Sequence, residues 1–310
     1  MYKAPRGTAD ILPGEQKYWH YIESTARLLG QRYGYSRLDT PIFERTNLFV
    51  RGVGQGTDIV EKEMYSFEDK GGESLTLRPE GTAPVLRAYL EHGMTNLPQP
   101  VRLYYFSPAF RYERPQAGRF RQHKQFGVEN LGDPDPSVDA EMIHMAWQLM
   151  ADLGLKDLKL VLNSIGDSNC RPSYLESLKI YYADHIEELC VDCRQRIERN
   201  PLRLLDCKQT RCSALADGAP KTTHYLCQDC QDHWDKLIMY LEKLEMPFNL
   251  EHRLVRGLDY YTRTVFEIQP PEEGSQSTIC GGGRYDGLMR ELDGPDTPGI
   301  GFAVGLERMV

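Results

Sequence analysis

At 310 residues, with 40% hydrophobic and 26% charged residues, the chain has the composition of a globular enzyme with one large domain plus an insertion, or with two domains. No apolar run approaches the length of a membrane span and the N-terminal MYKAPRGTADILPGEQ lacks a signal-peptide core, so a cytoplasmic protein is expected. A net charge of −8 speaks against indiscriminate nucleic-acid binding but not against a large RNA docking on a local basic surface, and eight cysteines in a reducing compartment should be thiols or metal ligands rather than disulfides.

Residues 15–33 carry Tyr18, Ile22, Ala26 and Leu29 at helical spacing, with Gly34 as a stop. YGYSRLDTPIFE follows as a strand broken at Pro41. On residues alone this is an amphipathic helix and a strand, for which core packing is the reading. RGVGQGTD (51–58) has three alternating glycines but no strand-to-helix unit around them, so a loop is expected rather than a phosphate cradle. Residues 75–77 form a short strand. Pro84 sits in the first turn of the helix after it, where its missing N–H is harmless, so Glu80, Gly81 and Thr82 fall at the join. A lone carboxylate at such a join usually caps the helix.

FRYERPQAGRFRQHKQFGVE (110–129) reads as two strands around a turn at 114–118, punctuated by Pro115 and Gly118. Alternation on the returning strand places Arg121, His123, Gln125, Gly127 and Glu129 on one face, with Phe126 and Val128 on the other. Arg111 and Glu113 share a face of the outgoing strand. Arg111, Arg114, Arg119, Arg121 and Lys124 against the single Glu113 make the hairpin basic in an acidic chain. Guanidinium groups gathered in this way suit phosphate or carboxylate, which they bond through a planar fork.

Residues 137–153 form a helix whose stripe of Val138, Met142, Met145 and Leu149 is core, and 158–165 a strand. Seven of the eight cysteines lie between Cys170 and Cys230. Cys190-x-x-Cys193 and Cys227-x-x-Cys230 together have the chemistry of a tetrahedral zinc site, but the spacer between them is wider than a zinc ribbon's. Ordinary buried thiols are therefore expected. A helix over 233–244 and a strand over 254–268, rich in β-branched and aromatic residues, come next. CGGGRYDGL (280–288) has glycines that fit either a tight turn or close backbone approach to a ligand. GIGFAVGLER (299–308) is strand-then-helix, and its glycine spacing misses the dinucleotide fingerprint.

F-R-x-E, a loop and a basic return strand resemble motif 2 of the class II aminoacyl-tRNA synthetases. ERPQxGRxRQ, NPLRLLDCK, RGLDYYTRTVFE and CGGGRYDGL are similar to wording of the histidyl-tRNA synthetase family. The helix and strand up to Pro41 resemble motif 1, which forms the family's dimer interface, and GIGFAVGLER resembles motif 3. The resemblance implies an α+β fold: a class II antiparallel sheet flanked by helices, with a mainly helical insertion. It divides the chain into a catalytic domain over 1–168 and 233–310 and a Cys-rich insertion over 169–232, which in the family contacts the acceptor end of tRNA. It implies a homodimer that joins L-histidine, activated by ATP with Mg²⁺, to tRNA(His). The chain ends inside motif 3, so a catalytic fragment without the anticodon-binding domain is expected.

Carried over residue by residue, the resemblance assigns Glu80, Gly81, Thr82 and Gln125 to the histidine amine, and Glu129 and Tyr261 to the imidazole nitrogens. Tyr260 joins the histidine site. Arg111 bridges the carboxylate and the α-phosphate. Arg256 is the catalytic cation, standing where other enzymes place a metal. Glu113 meets the adenine amino group and Phe120 its ring, while Arg119 and Arg308 hold the outer phosphate. No metal ligands come with the resemblance. The family's usual Phe-His before the motif 2 Gln is His123-Lys124 here. The alternative is the non-catalytic, synthetase-like regulatory subunit of ATP phosphoribosyltransferase, which also lacks the anticodon domain.

Overall fold

An eight-stranded sheet organises the molecule, seen here in a computed structural model that describes residues 2–116, 118–271 and 278–310. In chain order the elements are α1 (Gln16–Arg32), β1 (Ser36–Arg37), β2 (Phe43–Arg45), α2 (Thr46–Val53), β3 (Tyr65–Glu68), β4 (Ser74–Leu77), α3 (Thr82–Glu91), β5 (Val101–Phe110) and β6 (Gln122–Leu131). They continue with α4 (Pro136–Asp152), β7 (Lys159–Ser164), α5 (Arg171–Ala183), α6 (Val191–Arg199), α7 (Thr210–Asp217) and α8 (Gln228–Lys243). The last are β8 (Asn249–Leu250), β9 (Thr262–Gln269), β10 (Cys280–Arg284), α9 (Leu288–Glu291) and β11 (Gly299–Gly305). The main sheet runs β1-β5-β6-β11-β10-β9-β7-β8, with β2-β4-β3 as a separate small sheet. Only the edge pairs β1–β5 and β7–β8 are parallel. The expected α+β architecture, an antiparallel sheet flanked by helices, is the one observed.

Alternation gives the sheet two chemically different faces. Phe126, Val128, Phe266, Ile268, Ile300, Phe302 and Val304 point backward and pack against α1, α4 and α8. The α4 stripe of Val138, Met142, Met145 and Leu149 lies wholly in this core. Its start is fixed by Asp135, which accepts the Ser137 N–H at 2.8 Å, and by Pro136 in the first turn. In α1 the buried stripe is Trp19, Ile22, Ala26 and Leu29. Tyr18, expected in that stripe, is exposed, because Trp19 offers the larger apolar body one position on.

Two further expectations are corrected. The strand expected over 254–268 begins only at Thr262. Tyr260 and Tyr261 both face the same cavity, which successive residues of a strand cannot do. Their high strand propensity is overridden by the tertiary demand for both rings. Within RGVGQGTD, Arg51–Val53 ends α2 rather than opening a loop. Its Gly54 accommodates the Asp259 carboxylate, not a phosphate. The hairpin is corrected too: β5 stops at Phe110 and β6 starts at Gln122, so Arg111, Glu113 and Arg121 lie on the irregular crossing between the arms. There the Tyr112 and Arg121 N–H groups bond the Glu63 and Gly7 carbonyls at 2.7 Å instead of each other's strand; Ala117 of the crossing lies outside the described residues. The insertion is mainly helical, and its Tyr174, Leu178, Tyr182, Ile197 and Leu204 belong to one core that continues into Val85, Tyr105, Val161 and Tyr261 of the rest of the chain. Its expected limit at residue 232 falls inside α8, which is one continuous helix packed on α4.

Candidate active site

The front face of the sheet floors a cavity of about 540 Å³. Pairing of β5 with β6, and of β6 with β11, β10 and β9, brings motifs far apart in sequence onto this floor. Glu80, Gly81, Thr82, Arg111, Glu113, Arg119, Phe120, Gln125, Arg256, Tyr260, Tyr261 and Arg308 all line it. Every expected site residue but one is therefore at the wall. Glu129 sits immediately behind, 1% exposed.

The Glu129 carboxylate accepts the hydroxyls of Thr82 at 2.8 Å, Tyr105 at 3.0 Å and Tyr285. An ionised carboxylate has about four lone-pair sites, so one remains for a further N–H donor once the group has given up its proton. Burial raises its pKa to about 8 against these hydrogen bonds, and the neighbouring Glu80 adds to the rise. Gly301 is required beside it: a Cβ there would stand 1.9 Å from a Glu129 oxygen. Glu80 does what a lone carboxylate at a helix start is expected to do. Its two oxygens accept the N–H groups of Thr82 and Ala83 at 2.6 and 2.9 Å, while the side chain also lines the cavity. Burial pushes its pKa up.

Cations crowd together on the same cavity's wall. Arg119 pairs with Glu113, and Arg111 lies 4.0 Å from the same carboxylate while donating to the Pro79 carbonyl at 2.8 Å. Arg308 donates to the carbonyls of Gly118 and Thr278. Burial, and then Arg119, lower the pKa of Arg308; burial with Arg111 and Arg308 drives that of His123 down to about 3, so its ring is neutral. Such mutual repulsion among cations is relieved by a polyanion. Arg256 lines the cavity too. Burial opposes its charge, but Glu267, with which it pairs, wins and raises its pKa. Its Nε has no partner. The room for this guanidinium comes from Gly281, where a Cβ would stand 2.4 Å from it. The glycine run thus opens space for a side chain of the chain itself.

Over residues 7–309 the chain matches the sequence model of the histidyl-tRNA synthetase family. It belongs to that family. A histidine–tRNA ligase of Dehalococcoides mccartyi is 59% identical over 310 residues, which is all of this chain and 74% of the relative. The crystal structure of apo Staphylococcus aureus histidyl-tRNA synthetase superposes with a TM-score of 0.79 at 44% identity, covering 100% of this chain and 73% of that one. A Bacillus halodurans structure described as an ATP phosphoribosyltransferase regulatory subunit/histidyl-tRNA synthetase has a TM-score of 0.73 at 23% identity, covering 100% of this chain and 82% of that one, and shares the fold.

Several residues of this histidyl-tRNA synthetase family site escaped the sequence reading. Tyr105 and Tyr285 orient Glu129, and Glu267 holds Arg256. Tyr285 lies in the CGGGRYDGL wording, and Glu267 stands between Phe266 and Ile268, on the strand face opposite to them, which was the available signal. Arg203, Leu205, Asp206 and Lys208, from the insertion's NPLRLLDCK stretch, close one wall, and nothing in their spacing announced it.

Proposed function

We propose that the chain is a histidine–tRNA ligase that activates L-histidine with ATP and transfers it to tRNA(His). The observation that carries this reading is one cavity lined by Arg111, Arg119, Arg256 and Arg308 together with Glu80, Thr82 and Tyr261, with Glu129 directly behind and hydrogen-bonded to Thr82. A histidine carboxylate oxygen attacks the α-phosphorus of ATP; the bond to the β-phosphate's bridging oxygen breaks and pyrophosphate leaves, Mg²⁺ accompanying the phosphates as part of the nucleotide substrate. Charge builds on the α-phosphate in the transition state, where Arg256 and Arg111 stabilise it without reorganising. Arg119 and Arg308 take the outer phosphates, Glu113 the adenine amino group and Phe120 its ring.

Glu80, Gly81, Thr82 and Gln125 hold the amine, with Tyr260 closing the histidine site. A neutral imidazole has one N–H and one bare nitrogen. Glu129 accepts the first in its free lone-pair site and the Tyr261 hydroxyl donates to the second. An amino acid without those nitrogens would leave both groups buried and unpaired, a situation that discriminates by roughly 10⁴-fold or more. The chain acts in the cytoplasm as a homodimer, consistent with the exposed Phe43 and Phe67 on the small sheet and the exposed Ile42 just before it, and no described helix is long and apolar enough to cross a membrane. Histidine-dependent exchange of labelled pyrophosphate into ATP tests the reading without needing tRNA. Exchange with histidine alone among amino acids is expected; exchange with none, from a folded chain, would favour the regulatory alternative.

A further inference from the structure

The cysteines of the insertion do not assemble as their spacing suggested. The two CxxC motifs never meet; each finds other partners. Cys190 and Cys193 at the start of α6 face Cys207, which follows the Pro201–Leu204 turn, and Cys212 in the first turn of α7. Their four Sγ atoms lie within 4.8 Å of one another, and Cys193, Cys207 and Cys212 are buried. The Cys190–Cys207 separation is 3.9 Å, far beyond a sulfur–sulfur bond, and all four are free thiols. Zinc bound to four thiolates at about 2.3 Å sets its ligands about 3.8 Å apart, the edge of a tetrahedron. The Cys190 N–H donates to the Cys212 sulfur at 3.2 Å. The resulting C-x₂-C-x₁₃-C-x₄-C order has short pairs of the kind structural zinc sites use. Hydrocarbon side chains would fill this small helical core more simply; four convergent sulfurs are explained by an ion.

We propose that Cys190, Cys193, Cys207 and Cys212 bind a structural zinc ion that holds the Arg203–Lys208 wall against the active-site cavity.

A separate cluster carries a second site of the same kind. Asp167 and Cys170, at the entry to α5, meet Cys227 and Cys230, at the entry to α8, with all four ligand atoms within 4.8 Å. Asp167 Oδ1 is 3.6 Å from Cys170 Sγ and 4.0 Å from Cys227 Sγ. Zinc with one carboxylate oxygen and three thiolates at about 2.0–2.3 Å requires such spacings. Here the ion ties both ends of the insertion to the sheet. The next residue, Arg171, donates to the Tyr261 carbonyl at 2.6 Å, so this clamp also braces the proposed histidine-reading loop.

The test is zinc content of the purified chain with X-ray absorption at the zinc edge. Two zinc ions per chain are expected, with an average shell close to seven sulfurs for every oxygen. C193S/C212S should retain one ion and C170S/C227S the other. Loss of no zinc from C193S/C212S overturns the tetrathiolate site, and loss of none from C170S/C227S overturns the second. Should either variant fail to fold, the wild-type chain still decides. Zinc with a nitrogen- and oxygen-dominated shell is adventitious and overturns both, as does a metal-free chain whose seven insertion thiols react at once and whose Tm ignores a chelator.

Discussion

The two faces of the central sheet each hold an arginine–carboxylate pair, fully buried behind and partly open in front, and they are built for opposite purposes. Behind the sheet, Arg284 and Asp139 are both fully buried. Arg284 also donates to the Asp286 carboxylate and the Asp133 carbonyl at 3.1 Å, and Asp139 accepts from Thr264 at 2.6 Å and shares a hydrogen bond with His233 at 2.9 Å. In front, Arg256 pairs with Glu267 but keeps an unpartnered Nε at a cavity wall, as Gln125 keeps an unpartnered Oε1. A charge whose partners are complete stabilises a fold. One left incomplete beside a cavity is held ready for something that arrives.

The contrast can be broken by single changes. Arg256→Ala should slow histidine-dependent adenylation by roughly 10²–10³-fold or more, as when one pre-organised transition-state donor is removed, with a smaller loss of histidine affinity. Equal losses in single-turnover rate and affinity would mean that Arg256 only binds. Asp139→Ala should have the opposite signature, costing about 3–5 kcal/mol of stability by stranding Arg284, with little change in rate per folded molecule; denaturant unfolding beside active-site titration separates the two.

Gly301→Ala drives a methyl group into Glu129 and should cost about 1–3 kcal/mol, read as a raised histidine KM with ATP affinity unchanged. The smallest effect is in pH dependence. Glu129 is raised in the fold to about 8 by burial, so between its unfolded value and that point the folded state holds a proton the unfolded state has released. Its contribution is present at low pH and is lost as pH rises toward 8. Glu129→Gln should therefore flatten the fall of Tm between pH 5 and 8, while Asp139, held down to about 2 by Arg284 against its own burial, acts only below pH 4.

The same two faces explain what could be read in advance. On the back, alternation and helical stripes are rules of burial, so Phe126, Val128 and the α4 stripe were legible directly. On the front, the residues assigned to ligands were legible by type and wording and reached the cavity or the layer behind it, whereas Arg121, over the Tyr112 ring, and Lys124, paired with Glu23, did not join it. What failed was long-range partnership. Tyr285 binds Glu129 across 156 positions, and Cys170 meets Cys227 only because α5 and α8 start side by side. Where propensity met tertiary demand, as at Tyr260 and Tyr261, the cavity won.

The most direct measurement is a crystal structure of the chain with histidine and a non-hydrolysable ATP analogue. The account places the imidazole between Glu129 and Tyr261, the phosphates against Arg111, Arg119 and Arg308, and the Arg256 guanidinium on the α-phosphate beside the histidine carboxylate. A nucleotide bound elsewhere, or an imidazole turned away from Glu129, would contradict it.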